Sequence, residues 1–235
     1  VGIEEPKMAT IAFASSKGGV GKTTAALLLA GELVHAGSEV AIVDADPNKP
    51  LQRWADLGRV PSAIHLISEV DERNILDVVV EMERRFPFVL IDLEGSANML
   101  VSYAISRSDL VIIPLQGSQL DLNEAGKAIG LVRRQEQAFR RRIPYRVLLT
   151  RTSAAIRPAT LRHIEAELAQ NDIPVLRAAL MERDAFRAPF SFGGTLRSLP
   201  DGSVRRPEAA YENAEAYAQE VIDALKAEGN IGEVA

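Results

Sequence analysis

The sequence predicts a doubly wound α/β fold with a mostly parallel sheet, and three observations support this. Short apolar runs alternate with segments of helical spacing along nearly the whole chain, which is typical of βαβ units. A glycine-rich turn, 16–24, separates the first apolar run from the first helical segment. Polar side chains follow four of the apolar runs, and these positions share the edge of a parallel sheet where ligands bind.

Composition limits the classes of protein to which the chain can belong. It has no cysteine, which excludes disulfides and thiolate metal sites and favours a reducing, cytoplasmic location. No apolar run approaches the ~18 residues that a transmembrane helix needs. The net charge is −5, so contact with nucleic acid would require a local basic patch. We expect one domain over 8–235, with 1–7 as a disordered lead or expression remnant before Met8.

Each predicted element follows from its apolar spacing. Runs of mostly apolar residues predict strands buried on both faces, and apolar residues three or four apart predict helices. Proline at 158 suits a first helical turn, and the glycine-, proline- and arginine-rich segment 189–207 predicts an irregular connection. The predicted strands are 9–14, 40–43, 64–67, 88–91, 110–113, 146–149 and 173–176. The predicted helices are 25–30, 50–57, 75–86, 125–139, 158–169 and 207–227.

The most specific motif is the glycine-rich turn, which we call the phosphate loop (residues 16–24). Its glycines allow a tight turn that aims backbone N–H groups at an anion, and the following helix adds its dipole. In this pattern Lys22 reaches the β- and γ-phosphates of a nucleotide and the Thr23 hydroxyl binds Mg²⁺. The alternative is a flexible turn without a ligand. Ser16 stands where the usual pattern has glycine, and a second lysine, Lys17, is added.

Three aspartates follow apolar runs and are candidates for the chemistry beside this loop. Asp92 ends the run 88–91 and could hold Mg²⁺ through its water shell, or simply cap a helix. Asp44 and Asp46 point the same way if the strand continues, so that one could support the metal and the other position water. The alternative for this pair is a solvated Asp-Pro turn. Gly95 could let the backbone approach the γ-phosphate, or mark a plain turn.

The second lysine has two possible roles. One loop lysine suffices to bind phosphate, so Lys17 could point outward and be idle. Alternatively, Lys17 could reach the nucleotide of a second subunit, where a cation supplied in trans accelerates phosphoryl transfer about 10³–10⁵-fold. In that case dimerisation would switch the activity on.

These motifs together resemble those of a known family. Residues 17–24 resemble the deviant Walker A box of the ParA/MinD ATPases, 43–47 their A′ motif and 89–92 their Walker B motif. Further similar stretches are 108–114, 148–151, 182–186 and 191–193. The resemblance is closest to the short ParF-like partition ATPases, and the VirC-type proteins of conjugative DNA transfer are similar too.

The resemblance implies an ATP-dependent sandwich dimer with ATP and Mg²⁺ as cofactors. It implies catalytic roles for Lys17, Lys22 and Asp46, with Lys17 reaching across the dimer and Asp46 as the hydrolytic aspartate. The implied metal-side residues are Thr23, Asp44 and Asp92. The implied nucleotide-binding residues are Lys17, Gly18, Gly19, Val20, Gly21, Lys22, Thr23, Thr24, Thr150, Arg151 and Met181.

The chain departs from the family pattern at two places. Asn48 follows Asp46-Pro47 where the family usually has glutamine, and Leu93-Glu94-Gly95-Ser96 replaces the Pro-Pro-Gly switch of many members. Glu94 thereby adds a charge beside the switch. These departures leave open a nucleotide-binding scaffold with low turnover.

Two basic clusters are candidates for DNA contact. Arg133-Arg134 and 140–142 flank a helical stretch, and the alternative for them is a solvated helix end. The other cluster is Arg197, Arg205 and Arg206. By resemblance, ParA proteins hold non-specific DNA through basic residues in the C-terminal part, which favours this second cluster.

The predicted function is DNA segregation by a nucleoid-associated, ATP-dependent homodimer. By resemblance, the dimer binds DNA non-specifically, and a centromere-binding, ParB-like partner stimulates hydrolysis. A first alternative is a VirC-like ATPase that recruits a relaxosome component. A second is a MinD-like membrane-cycling regulator, but the tail 221–230 is acidic and short of bulky apolar residues, so we expect no membrane contact.

Overall fold

The computed structural model describes residues 8–95, 98–153 and 158–231, and its strands form one parallel sheet. The strands are β1 (Ala9–Phe13), β2 (Val40–Ala45), β3 (Ile64–Ile67), β4 (Phe88–Leu93), β5 (Leu110–Leu115), β6 (Tyr145–Thr152) and β7 (Leu180–Met181). Their order across the sheet is β3-β2-β4-β1-β5-β6-β7. The chain therefore builds outward from the central β1 in one direction and then in the other, which confirms the predicted doubly wound fold.

Helices cover both faces of this sheet. They are α1 (Lys22–His35), α2 (Pro50–Asp56), α3 (Ile75–Glu83), α4 (Met99–Arg107), α5 (Gln119–Phe139), α6 (Ala159–Gln170), α7 (Ala188–Phe192) and α8 (Glu208–Ala227). In β1, Ile11 and Phe13 face the core layer that contains α1 and α8, whereas Ala12 faces the layer of α3 to α6. No helix in the described ranges is long and apolar enough to cross a membrane.

One predicted strand is wrong. Residues 173–176 make only a single parallel bridge, between Val175 and Val147, and the seventh strand is Leu180–Met181 instead. Val147 donates to the carbonyl of Pro174 and accepts from the N–H of Leu176, but Pro174 itself has no N–H group to donate. The ladder therefore stops after one residue pair, and apolar composition alone could not show this.

Two helices begin at positions that apolar spacing does not predict. No element was predicted for α4, which the side chain of Asn98 caps by accepting from the N–H of Val101 at 2.9 Å. α5 was predicted from 125, but it begins at Gln119 after the cap residue Ser118, whose hydroxyl accepts from the N–H of Asp121. Both starts are fixed by short polar side chains rather than by apolar spacing.

The irregular late segment, 189–207, is attached to the core by a buried ion pair. Two nitrogens of Arg197 donate to the two carboxylate oxygens of Glu32 on α1, at 3.0 and 2.7 Å. Their side chains are 19% and 5% exposed, and Arg197 also lies 3.3 Å from Glu215 and 4.6 Å from the ring centre of Tyr211. The hydrogen bonds to Glu32 raise the pKa of Arg197 above its usual range.

A second attachment joins this segment to α2. The indole N–H of Trp54 donates to the carbonyl of Gly194 at 2.7 Å, and Trp54 is fully buried. Gly193 adopts a φ of +74°, and a Cβ there would lie 2.4 Å from the carbonyl oxygen of Gly58. Only glycine fits this approach, so the late segment is placed closely against the helix that follows β2.

We expect Arg197→Ala to lower the free energy of unfolding by about 3 kcal/mol, because it leaves the Glu32 carboxylate buried without its main partner. Urea denaturation monitored by circular dichroism measures this. Arg205→Ala, at an exposed position of the same segment, is the control and should change stability by less than about 0.5 kcal/mol. Equal effects of the two substitutions would contradict the structural role of the pair.

Candidate nucleotide-binding site

The carboxyl ends of the central strands bring the predicted motifs together. The phosphate loop follows β1, and β4 lies between β1 and β2. In the register of this sheet, Asp92 is opposite Phe13 on one side and opposite Asp44 on the other. Two aspartates from separate motifs therefore stand side by side next to the loop.

The phosphate loop has the backbone geometry of an anion cradle. Gly19 and Gly21 adopt φ angles of +74° and +102°, which favour glycine, and α1 begins at Lys22. Residues 18–19 form a turn, and within the described part of the chain the N–H groups of Gly18, Gly19 and Gly21 donate to no protein acceptor. Free N–H groups at the start of a helix fit the oxygen atoms of a phosphate group.

Two side chains at the carboxyl ends of β5 and β6 fix this loop. The Thr150 hydroxyl donates to the carbonyl of Val20 at 2.8 Å, and the side-chain amide of Gln116 donates to the carbonyl of Gly19 at 3.0 Å. Both clamps use loop carbonyls, which leaves the loop N–H groups available. Gln116 was not predicted, because a lone glutamine after a strand carries no motif.

Lys22 is buried at the centre of the site. Its ammonium donates to the carbonyl of Lys17 at 3.3 Å. Burial lowers the pKa of Lys22, and the charges of Asp92, Asp46 and Glu94 oppose this shift. A polyanionic ligand would therefore find a partly desolvated cation at the base of the loop.

Thr23, Asp44 and Asp92 form the acidic side of the site. The Thr23 hydroxyl donates to Asp92 Oδ2 at 2.6 Å. Asp44 Oδ2 accepts from the N–H groups of Leu51 and Gln52, at 2.9 and 3.0 Å, and so caps α2. The other oxygen of each carboxylate, Asp44 Oδ1 and Asp92 Oδ1, is buried without a hydrogen-bond partner.

Burial of these two carboxylates affects their ionisation. It raises the pKa of Asp92 to about 7, and the negative charge of Asp44 adds to the effect while the Thr23 hydroxyl opposes it. Burial also raises the pKa of Asp44, against hydrogen bonds from α2. Adjacent acids that are costly to ionise indicate a place where a cation would be stabilising.

The two unpartnered oxygens fit a hydrated magnesium ion. The described residues contain no cluster of three or more acidic, histidine or cysteine side chains that could enclose a metal. Thr23 and the phosphates of a nucleotide would instead be direct ligands, with Asp44 and Asp92 holding bound water. When bound, Mg²⁺ neutralises phosphate charge during phosphoryl transfer.

Asp46 lies at the mouth of the site, half-buried. Its Oδ1 accepts from both the backbone and the side-chain nitrogen of Asn48, at 2.8 and 3.0 Å. Lys49, with a φ of +49°, donates to the carbonyls of Asp44, at 3.3 Å, and Ser68. Asn48 therefore orients the Asp46 carboxylate, and Lys49 holds the segment 44–49 against β3. Lys49 belongs to no sequence motif and was not predicted.

Lys17 does not point at the chain's own nucleotide site. Its ammonium is 2.5 Å from Asp121 Oδ1 at the start of α5, and the two side chains are 44% and 4% exposed. Burial disfavours ionised Asp121, but hydrogen bonds from Lys17 and Ser118 outweigh it and lower its pKa. Asp121 was missed, although the spacing Ser118-x-x-Asp121 is a helix-start signature.

Gly95 approaches the phosphate loop closely. A Cβ at Gly95 would lie 3.1 Å from both the nitrogen of Gly18 and the carbonyl carbon of Lys17. The side chain of Asn98 donates to its neighbour Glu94, whose charge also acts on Lys22. Ser96, the last residue of the predicted switch, lies outside the described residues.

A small pocket beside the loop brings together the remaining predicted nucleotide contacts. Arg151 lies where the β6–β7 pairing shifts register and has a φ of +52°. The Met181 N–H donates to Asn213 Oδ1 at 3.0 Å, and Arg183 Nε is buried without a partner. Arg183 belongs to the stretch 182–186 that resembles the family. The pocket is lined by Gly21, Thr24, Thr150, Arg151, Leu180, Met181, Glu182, Arg183, Phe186 and Arg187.

The predicted DNA contacts lie apart from this site. Arg205 and Arg206 are exposed, and Arg206 has a φ of +51°. Arg197 is held by Glu32, so a DNA contact by Arg197 would have to break a buried ion pair. DNA contact by this cluster stays a prediction.

Comparison with known proteins identifies relatives of this fold and site. The family model described as VirC1 protein matches residues 8–197. Protein ParA of Rhizobium radiobacter is 39% identical over 218 residues, 93% of this chain and 98% of that protein. Protein virC1 of the same species is 33% identical over 186 residues, 77% of this chain and 80% of that protein. The solved structure of apo McdA from Cyanothece superposes with a TM-score of 0.75 at 19% identity, covering 93% of this chain and 99% of that one.

The fold and the site define a phosphate-loop ATPase with a second loop lysine and two buried aspartates. The chain belongs to the VirC1 family, within the ParA/MinD-type ATPases. The predicted resemblance, the ATPase activity and the cofactors ATP and Mg²⁺ are confirmed. The chain is accordingly a ParA-family positioning or partition ATPase.

We expect the nucleotide-free protein to lose stability as the pH rises from 5 to 8. Folded Asp92 keeps its proton up to about pH 7, whereas an unfolded aspartate loses it near ~3.9. Between these two pH values the folded state binds one proton more than the unfolded state. The free energy of unfolding therefore falls as the pH rises, until folded Asp92 has also released its proton. Asp92→Asn should reduce the loss by roughly 2 kcal/mol in urea denaturation.

The exposed substitution Asp201→Asn is the control for this pH series and should follow the wild type. A wild type whose stability between pH 5 and 8 parallels that of Asp92→Asn would show that Asp92 ionises normally.

Proposed function

We propose that this ATPase segregates DNA by a nucleotide-controlled pairing cycle. ATP binding joins two copies, the pair binds DNA non-specifically, and a centromere-binding adaptor stimulates hydrolysis and release. The observation that carries the proposal is the position of Lys17, which is half-exposed at the rim of the site and bound to Asp121. Lys22 and the free N–H groups of the phosphate loop would serve the chain's own nucleotide, so Lys17 is available to a second copy.

The energies favour such an exchange. Removing Lys17 from Asp121 leaves a buried carboxylate with one hydrogen bond, from the Ser118 hydroxyl, at a cost of about 3 kcal/mol. A cation supplied in trans to a phosphoryl transition state contributes about 4–7 kcal/mol, equivalent to 10³–10⁵ in rate. At the transition state of hydrolysis, the contact in trans therefore outweighs the ion pair within one chain.

Asp46 is suited to position the attacking water. Asn48 holds one carboxylate oxygen, and the other has no partner among the described residues. Asp46 lies close enough to Lys22 for its charge to act on the Lys22 ammonium. Asn48, where relatives of the ParA type usually carry glutamine, can thus still orient this carboxylate, which supports turnover over an inert scaffold.

A second candidate function follows from the family match. The VirC1 model covers 190 of 235 residues, which favours a role in conjugative DNA transfer, with a relaxosome component as the partner. The catalytic cycle would be the same and only the cargo would differ. Purified centromere-binding and relaxase proteins from the same genome distinguish the two, because only the true partner should stimulate the ATPase.

The proposed cycle makes DNA binding depend on ATP. We expect the wild type to retain a labelled random-sequence duplex with Mg²⁺ and a slowly hydrolysed ATP analogue, and to bind at least about tenfold more weakly with ADP, since only the pair doubles the contacts. Fluorescence anisotropy measures this. Equal binding in both nucleotide states would refute nucleotide control.

Lys17→Ala should still bind ATP but fail to dimerise. Its matched control is Lys22→Ala, which removes the lysine that reaches the chain's own phosphates and should lose ATP binding itself. In the Asp46→Ala background, where hydrolysis is blocked, ATP should produce a stable dimer in light scattering, and adding Lys17→Ala should abolish it. A dimer that survives in the double variant would show that Lys17 does not act in trans.

A further inference from the structure

The carboxyl end of α5 concentrates positive charge on a chain that is acidic overall. Residues 133–146 contain six arginines, no lysine and one carboxylate, Glu136, whereas the whole chain has a net charge of −5. Four of these arginines line one shallow groove with Glu136 and Gln137. We call this groove the α5 arginine surface; its arginines are Arg133, Arg140, Arg141 and Arg142.

Part of this charge is neutralised within the chain and part is not. Arg142 and Arg146 share the carboxylate of Glu228, at 3.1 and 3.2 Å, and Arg141 donates to the carbonyl of Ser108. Arg133 and Arg140 are exposed and have no ion-pair partner among the described residues. On the α5 arginine surface, two guanidinium groups thus face solvent uncompensated, beside that of Arg142, which is 76% exposed.

The late cluster is a weaker place for a polyanion. Residues 201–212 contain two arginines, Arg205 and Arg206, but three carboxylates, Asp201, Glu208 and Glu212. The third member of that cluster, Arg197, is bound to Glu32. Its local charge is therefore negative, and a phosphate backbone would be repelled as much as attracted.

We propose that the α5 arginine surface, and not the late cluster, contacts the phosphate backbone of duplex DNA. This rests on the proposed function, which requires non-specific DNA binding. Guanidinium groups bind phosphate oxygens through two parallel hydrogen bonds, and such contacts carry no base information. A shallow, open groove lined by arginines matches a convex duplex better than a buried pocket would.

The alternative occupant, an anionic membrane, fits less well. An interfacial element needs an apolar face beside its basic one. The exposed aromatic residue at this end of α5 is Phe139, which is 53% exposed and lies next to Arg140. One aromatic ring contributes little free energy of insertion into a membrane, so this surface is suited to electrostatic contacts.

The position of the surface allows DNA and nucleotide to bind together. α5 follows β5 and precedes β6, so it starts at the carboxyl edge of the sheet and ends at the opposite edge. Its 21 residues span about 31 Å at 1.5 Å per residue. Asp121, which holds Lys17, lies in the first turn, and the α5 arginine surface lies at the far end of the same helix.

The test removes the two unpaired charges. Arg133→Gln/Arg140→Gln should weaken binding of a random-sequence duplex at least tenfold at 100 mM salt, with Mg²⁺ and a slowly hydrolysed ATP analogue. The ATP-bound pair carries two copies of this surface, so four phosphate contacts are lost. The slope of log Kd against log salt should become shallower by about 3.6, at about 0.9 for each contact. Arg133→Lys/Arg140→Lys keeps the charge and should keep most of the wild-type slope of log Kd against log salt. Thermal unfolding confirms that each variant folds.

The matched control is Arg205→Gln/Arg206→Gln, which removes the same charge from the late cluster and should bind within twofold of the wild type. If the wild type binds duplex and the Arg133/Arg140 variant binds equally well, the assignment of the surface is wrong while the proposed function stands. If the wild type binds no duplex in either nucleotide state, both are wrong. Binding to vesicles of anionic lipid but not to duplex, lost in Phe139→Ser, would identify a membrane surface instead and overturn the proposal.

Discussion

The site depends on one electrostatic constraint, the burial of two carboxylates side by side. Asp44 and Asp92 are fully inaccessible and lie opposite each other on adjacent strands, and each has one oxygen without a partner. Such a pair is unfavourable alone, which is why burial raises the pKa of both. A cation bound between the two carboxylates would lower their electrostatic free energy. Part of the affinity for a magnesium-bound nucleotide would therefore come from the burial of this pair.

The surrounding structure keeps that constraint in place while leaving the ligand-facing groups free. Asp44 uses its other oxygen to cap α2, so the helix that follows Asp46 is anchored to the metal side of the site. Thr150 and Gln116 hold carbonyls of the phosphate loop and leave its N–H groups open. Trp54 then joins α2 to the late segment beside the small pocket. Hydrogen bonds thus connect the two buried aspartates, the phosphate loop and the late segment beside the small pocket.

The sequence predicted the parts of this arrangement that rest on local chemistry. The first six strands were predicted from apolar runs. The phosphate loop and the three aspartates were predicted from their residue types and from their positions after those runs. The partners Asp121, Gln116 and Lys49 were not predicted, because their roles arise only when distant segments meet. The residue type of Lys17 indicated a second cation at the loop. Its ion pair with Asp121 in the same chain was visible only in the structure. The wrong strand at 173–176 has the same origin, since pairing depends on a neighbour and on the missing N–H of Pro174.

If Asp44 and Asp92 bind a cation together with the nucleotide, Asp92 must release its proton when the nucleotide binds. Calorimetry of preformed Mg·ATP binding at pH 7, in buffers of different ionisation enthalpy, measures the protons released. With the pKa of Asp92 raised to about 7, binding should release about half a proton, and Asp92→Asn should abolish this release. Binding of Mg·ATP to the wild type with no proton released would contradict the account.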